Sequence, residues 1–356
     1  MAGQDREDII DADDPILVTG ASGFIGERVV ASLASRGFRN LRCAIRRATN
    51  TASLEALSPC RDGDMRLQTY RGNLLDSDFC REITRDVPVI YHLAAGTGLD
   101  SFPDAFMNSV VTTRNLMEAA AAHGGLRRFV CASSFAVYTN QHKPNGSWLD
   151  ESCPIEQASH LRGEAYCFAK VKQEEFVRQF GQEHSMPYVI LRPGVVYGPG
   201  KRQLIGRVGL GTFGLFLHLG GGNRIPLTYV DNCADAIVLA GVRKGVDQET
   251  FNVVDDDLPT SRRILRLYKK QVRRFRSVYV PHWASYCMFS AWEWCSRRSR
   301  GQLPPVFNIR AWHAYWKGAR YSNEKLKHLL GWTPGVSTEE GLRRYFESCR
   351  QGIPDA

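Results

Sequence analysis

The chain has 356 residues, 43% hydrophobic and 23% charged, an ordinary globular composition with material for a large core. Its formal charge of +9 suits an anionic ligand, an acidic lipid surface or nucleic acid, but no nucleic-acid-binding module accompanies the basic residues, so no nucleic-acid partner is expected. Ten cysteines are scattered without a CxxC pair or a Cys/His spacing for zinc, and the N-terminus is acidic rather than a secretory signal; the reading is a cytoplasmic protein with reduced thiols and no metal.

Residues 1–14 are acidic and read as a flexible tail. Pro15-Ile16-Leu17-Val18-Thr19 is a short apolar run, right for a buried parallel strand. It enters Gly20-Ala21-Ser22-Gly23-Phe24-Ile25-Gly26, and a helical pattern follows through Val29, Val30, Leu33 and Ala34 to a stop at Gly37. Further strands are expected over 41–45, 89–93, 129–132 and 188–191, with helices between them, such as 112–122 and 166–180. Strands alternating with helices mean βαβ units and a parallel sheet. After Gly194 the pattern changes: 200–222 is rich in glycine and apolar residues, and 277–316 in Trp, Tyr and Phe. The fold expected is α/β, a doubly wound parallel sheet over 15–193. Residues 194–356 then form mostly a smaller, interleaved substrate lobe, with 225–255 returning to the sheet.

Gly20-x-x-Gly23-x-x-Gly26 lies directly after a strand and directly before a helix. Glycine is needed where a turn takes unusual φ and where backbone must approach a phosphate closely. The helix N-terminus then offers free N–H groups and a positive dipole end to a pyrophosphate. Ser22, Phe24 and Ile25 complete this candidate dinucleotide loop. Near the end of the second strand a carboxylate would bind ribose hydroxyls, whereas an arginine would pair with a 2′-phosphate. That strand ends in Ile45-Arg46-Arg47 with no acid. A guanidinium fork suits phosphate, so NADP is favoured over NAD.

Tyr166-Cys167-Phe168-Ala169-Lys170 places a phenol and an ammonium one helical turn apart on one face. A free tyrosine, with a pKa of about 10, is a poor base at neutral pH, and a nearby ammonium favours its phenolate. The pair suits proton exchange with an alcohol/carbonyl couple. Ser133-Ser134 follows an apolar strand, and the C-terminal ends of strands face the ligand crevice of open α/β sheets. A hydroxyl there can hold a carbonyl oxygen as charge develops on it.

The ordered set of segments from about 15 to 346 resembles the extended short-chain dehydrogenase/reductase family of the NAD-dependent epimerase/dehydratase superfamily. The resemblance implies a Rossmann-type fold. It also implies that the catalytic serine lies four residues before Tyr138, which is Ser134, with Ser133 the alternate. Lys170 would hold the nicotinamide ribose. Gly72-Asn73-Leu74 resembles the family's adenine-contacting Gly-Asp-Leu, with Asn73 in place of Asp. Tyr91-His92-Leu93-Ala94-Ala95 resembles the strand lining the cofactor cleft, where His92 reads as a buried, hydrogen-bonded histidine. Leu191-Arg192-Pro193-Gly194-Val195 resembles the loop near nicotinamide and substrate, so Pro193 and Val195 join the candidate cofactor residues. The family often forms homodimers.

Two branches compete. The loop after Arg192 lacks the asparagine usual in nucleotide-sugar enzymes, and the lobe segments are apolar. The favoured reading is an oxidoreductase acting on a sterol-, polyketide- or lipid-like alcohol or ketone, nearest the 3β-hydroxysteroid dehydrogenase branch. The alternatives are a nucleotide-sugar epimerase or dehydratase with retained NAD, and a non-catalytic dinucleotide-binding sensor or scaffold. Residues 281–300 crowd aromatics beside arginines. Packing over the active site or in a dimer contact is favoured there, with peripheral membrane contact as the second reading.

Overall fold

The computed structural model describes residues 8–47, 52–55, 65–96, 100–201, 204–300 and 302–351. Seven strands among them form one sheet: β1 (Ile16–Thr19), β2 (Asn40–Ile45), β3 (Arg66–Arg71), β4 (Val89–His92), β5 (Arg128–Ala132), β6 (Tyr188–Pro193) and β7 (Thr250–Val253). Their order is β7-β6-β5-β4-β1-β2-β3, and every pairing is parallel. The chain thus winds outward in one direction from β1 to β3, then in the other from β4 to β7. The crevice between β1 and β4 is where such sheets bind ligands.

Side chains alternate across the sheet because a strand has a period of two. Ile16, Val18, Val89, Tyr91 and Val130 enter one core, and Leu17, Ile90, Phe129 and Cys131 the other. Both faces are therefore covered, as parallel sheets require. Helices α1 (Gly26–Ser35), α2 (Ser77–Thr84), α3 (Thr112–His123), α4 (Ala165–Glu183) and α5 (Val230–Val242) supply the cover. Val29, Val30 and Leu33 of α1 and Ile237 of α5 pack on the first face, and Leu116, Met117 and Ala120 of α3 on the second. Burying each of the larger side chains among these, Val, Leu, Ile or Met, contributes about 1.5–3 kcal/mol.

Immediately before α3 the helix contains a π-turn, Met107–Val111, in which Thr112 N donates to Met107 O. Strand β3 is an edge strand with Arg66, Gln68, Thr69 and Arg71 exposed.

The remaining residues build a lobe over the C-terminal edge of the sheet. A hairpin of Gly209–Thr212 and Leu215–His218 is joined by the parallel strand Ser277–Tyr279. Helices α6 (Ser261–Gln271), α7 (His282–Arg298) and α8 (Ile309–Tyr315) surround it. A small core of Leu219, Phe289, Trp312 and Trp316 holds α7 and α8 together. The aromatic residues of α7 divide: Phe289 is buried, but Trp283 is 74% and Trp294 56% exposed. Packing, expected from their crowding, thus accounts for only part of them. Among the described residues no helix is long and apolar enough to cross a membrane. The nine described cysteines are free, and Cys60 lies outside the described residues.

Candidate active site

The glycine loop is shaped by close backbone contacts. Gly20 has φ +67°, and a Cβ there would stand 2.9 Å from Ala94 N. A Cβ on Gly26 would stand 2.1 Å from Gly20 O. Gly23 N donates to Gly20 O at 2.9 Å, closing the turn. Gly20, Ser22 and Gly23 consequently wall a cavity of about 310 Å³ at the C-terminal ends of β1, β2 and β4. Arg46, Asn73 and Leu74 close one side of it, and Leu93, Ala94 and Ala95 another. Nine of the residues read from the sequence as cofactor contacts therefore meet around one cavity.

The others stand elsewhere. Gly26 begins α1 behind the loop. Phe24 and Ile25 pack against the core, with Lys201 Nζ 4.9 Å from the Phe24 ring centroid. Arg47 is exposed beside Arg46. Pro193 ends β6 and Val195 borders a second cavity. Asn73 Oδ1 already accepts from Leu75 N at 3.1 Å, so its NH2 group is what it has to offer a base. Asn108 and Thr112 also line the first cavity. Sequence reading missed both, because the π-turn that aims them has no simple periodicity. Its place beside a cleft fits the tendency of π-turns to occur at functional sites.

These features fit a nicotinamide dinucleotide: a loop only glycine can form, a helix N-terminus behind it, and an arginine and an amide at the far end. Gly26→Ala is expected to raise the dinucleotide Kd at least tenfold, about 1.4 kcal/mol, because the loop must open to admit the methyl group. Fluorescence titration would measure this, and an unchanged Kd would count against the loop as the phosphate seat.

The second cavity, of about 460 Å³, adjoins the sheet on the β5–β6 side. Ser134 and Tyr166 both line it. Ser134 caps the short turn after β5, and its Oγ accepts from Ala136 N at 3.1 Å, leaving its proton free to be donated. Ser133, the alternate, turns away: its Oγ donates to Glu174 at 2.5 Å in the core.

Tyr166 lies in the first turn of α4 and Lys170 one turn later. Lys170 is buried, and its Nζ donates to Ala132 O at 2.6 Å and to Gln173 Oε1 at 2.9 Å. The same Nζ is 5.9 Å from the Tyr166 ring centroid. Gln173 Nε2 donates to Thr113 Oγ1 at 2.8 Å. Thr113 in turn donates to Ser109 O at 2.5 Å and contacts His92 Nε2 at 2.9 Å. His92 Nδ1 meets Thr19 Oγ1 at 2.8 Å. Thr113 spends its one proton on Ser109, so His92 donates from Nε2 and accepts at Nδ1. Burial pushes the His92 pKa down to about 3, helped by the Lys170 charge. A neutral chain of hydrogen bonds thus runs from the end of β1 to the lysine.

Beneath it lies a buried ion pair. Arg192 binds Glu174 with two hydrogen bonds, Nη2 to Oε2 at 2.6 Å and Nε to Oε1 at 2.9 Å. Arg192 also donates to Tyr138 OH at 2.9 Å, which donates to Asn252 Oδ1 at 2.7 Å. Burial alone would raise the Glu174 carboxyl, but the Arg192 hydrogen bonds and charge hold it below its ordinary value. This cluster ties together the end of β5, α4, β6 and β7.

The far wall of the second cavity is apolar and aromatic, with Leu210, Phe289, Phe307 and Trp316. Two charged residues interrupt it, Glu164 and Arg207. Glu164 is matched: Arg162 Nε lies 3.0 Å from its carboxylate and Tyr315 OH donates to it at 2.9 Å. Arg207 donates to Ala314 O at 3.1 Å and stands 5.2 Å from the Tyr315 ring centroid. Among the described residues no carboxylate pairs with it.

The profile of the NAD dependent epimerase/dehydratase family matches residues 16–253, more than half the chain. The 2-alkyl-3-oxoalkanoate reductase of Stenotrophomonas maltophilia (strain K279a) is 27% identical over 342 residues, 92% of this chain and 97% of that protein. The UDP-glucose 4-epimerase of Vibrio cholerae is 25% identical over 94% of this chain and 95% of its own. The structure of the UDP-glucuronic acid 4-epimerase from Bacillus cereus in complex with NAD superposes with a TM-score of 0.70 at 22% identity. That superposition covers 95% of this chain and 99% of that one. The parallel sheet, the glycine loop and the full-length likeness to reductases and epimerases agree: the chain belongs to the NAD-dependent epimerase/dehydratase family of extended short-chain dehydrogenases/reductases.

Proposed function

We propose that this protein is an oxidoreductase that interconverts an alcohol and a ketone on an apolar substrate and prefers NADP. The observation that carries the reading is the second cavity, where Ser134 and Tyr166 face an aromatic wall beside the dinucleotide cavity. Gly20, Ser22, Gly23 and Arg46 would hold a nicotinamide dinucleotide in the first cavity, and that group would supply or accept the hydride. Ser134 donates its free proton in a hydrogen bond to the substrate oxygen. Tyr166 gives a proton to that oxygen on reduction and takes it back on oxidation. Lys170, fixed by Ala132 and Gln173, stabilises the charge left on Tyr166. Aromatic walls exclude water and suit a sterol-, polyketide- or lipid-like body. Arg207, with no carboxylate partner among the described residues, fits an acidic group on such a substrate. The likeness to a 2-alkyl-3-oxoalkanoate reductase supports this choice of substrate. Residues 15–193 act in this reading as the dinucleotide unit and 194–356 mostly as the substrate lobe, in a homodimer.

NADP preference rests on Arg46, which borders the cavity where β2 ends without an acid. The first test is the nucleotide released when the purified protein is denatured, with NADP and NAD titrations. An empty protein that binds NADP more tightly, and consumes NADPH with lipophilic 3-oxo acids, is expected. Arg46→Ala should weaken NADP at least tenfold and leave NAD nearly unchanged, since one charge-assisted contact is worth about 1.5–3 kcal/mol. Tightly retained NAD with no net consumption would replace this reading with a sugar-nucleotide epimerase. Dinucleotide binding with no turnover of either class would make the protein a sensor.

A further inference from the structure

The charge of the chain is unevenly placed. The forty residues 261–300 hold eleven Lys and Arg but one acid, Glu293, in a chain whose total is 46 basic and 37 acidic residues with a net +9. An excess as large as that of the whole chain therefore sits on α6, on the link from α6 to the strand Ser277–Tyr279 (Arg273, Arg274 and Arg276), and at the C-terminal end of α7. Arg262, Arg266, Lys270, Arg273, Arg274 and Arg276 are exposed, as are Arg298 and Arg300.

Six exposed large apolar residues lie in the same segment. Val278 and Tyr279 are exposed on the strand, and Trp283, Tyr286, Met288 and Trp294 on α7. Residues 283, 286, 287 and 294 fall on one helical face by their spacing. The opposite face holds Ser285, Phe289 and Ser296, which are buried. Helix α7 thus carries aromatic residues on both sides, with only one side covered. Arg298 stacks on Trp294, its Cζ 4.3 Å from the ring centroid, and Arg262 lies 5.7 Å from that of Tyr279. At the tip of the adjoining hairpin, Phe213 is fully exposed and held at φ +44°, a conformation that bulky residues avoid.

We propose that this face docks the protein on an anionic lipid bilayer. Tryptophan and tyrosine settle at the headgroup level, and clustered Lys and Arg are drawn to the negative surface potential. A second copy is the poorer occupant, because a two-fold contact sets the same patch against itself and would confront the concentrated charge with its equal. The inference does not depend on the oxidoreductase reading, although Phe289, on the inner side of α7, lines the substrate cavity. A docked enzyme would therefore hold that cavity about one helix diameter, 10–12 Å, from the lipid.

The test uses the full chain and sedimentation with vesicles of phosphatidylcholine alone or with phosphatidylserine. Binding to the mixed vesicles, a blue shift of tryptophan emission, and at least a tenfold loss of binding in high salt are expected. Vesicles without phosphatidylserine should bind at least tenfold more weakly. Trp283→Ser/Trp294→Ser and Arg273→Gln/Arg274→Gln/Arg298→Gln change exposed side chains only. Each should keep the wild-type melting temperature and lose at least tenfold in binding. Several results would overturn the proposal. These are no sedimentation with phosphatidylserine, variants that bind like wild type, tighter binding to a single-stranded oligonucleotide than to vesicles, or a self-association that the tryptophan variants abolish without vesicle binding. Because no turnover is measured, loss of the oxidoreductase reading would leave these results unaffected.

Discussion

Tyr166→Phe is expected to lower kcat by about 10²–10⁴-fold, the usual contribution of a positioned general acid or base. The phenyl ring fills the same space in the first turn of α4, and the Lys170 hydrogen bonds to Ala132 O and Gln173 do not involve the hydroxyl. Fold and dinucleotide affinity should therefore be unchanged. Steady-state kinetics with an NADPH-consuming ketone, together with a dinucleotide titration, would separate the two effects. If turnover stayed at the wild-type level, the proton would have to come from another group in the second cavity. Glu164 lines that cavity, but it is occupied by Arg162 and Tyr315.

The largest effect on stability is expected from Arg192→Met. It removes both hydrogen bonds to Glu174 and leaves a carboxylate that is 1% exposed. Only Ser133 Oγ and Arg178, 3.5 Å away, remain beside it. Breaking a buried pair in this way costs about 3–5 kcal/mol, and denaturant melts should show it as a lowered midpoint. Glu174→Gln/Arg192→Met should recover part of the loss, because it also removes the buried charge. The pH dependence has a definite sign. In the wild type the Glu174 carboxyl is held below its ordinary value. Its stabilising contribution is therefore complete above the unfolded carboxylate range and is lost as pH falls through the folded value. In Arg192→Met, burial without the guanidinium raises the carboxyl instead, so acidification relieves the variant. The stability gap between the two proteins should narrow as pH falls, and a gap that widened would mean Glu174 is not the group left unpaired.

The parts of this architecture that the sequence made legible are those in which local chemistry and fold demand the same residues. Ile16–Thr19, Val89–His92 and Arg128–Ala132 are wholly buried strands, and the apolar runs within them, 16–18, 89–91 and 129–132, announce this. Gly20 was readable because its positive φ and its contact with Ala94 exclude other residues. Strand β3 was not, since an exposed edge strand can carry Arg66, Gln68 and Arg71 without cost. Ser134 was set above Ser133 only by its spacing to Tyr138, and the fold points the two hydroxyls apart, Ser133 to Glu174 and Ser134 to the second cavity. The second cavity was the least legible part. Arg207, Phe289, Phe307 and Trp316 come from distant segments and meet only through the lobe packing.

The π-turn at Met107–Val111 gives the helix entering α3 two phases. One extra residue advances an α-helix by about 100°, so a single wheel drawn through residues 102–123 assigns one half to the wrong side. Before the turn, Phe102 and Phe106 pack on Phe168 of α4. After it, Leu116 and Met117 enter the core beneath the sheet. At the dislocation itself, Asn108 and Thr112 face the first cavity and Ser109 Oγ accepts from Gly96 N. One rod thus serves a neighbouring helix, the cleft and the core in succession, and the residue out of step makes the change of address possible. Among sequences of this family, lengths aligned across this segment would carry information that residue identity does not, because losing one residue would leave a regular helix with its cleft-facing side chains turned away.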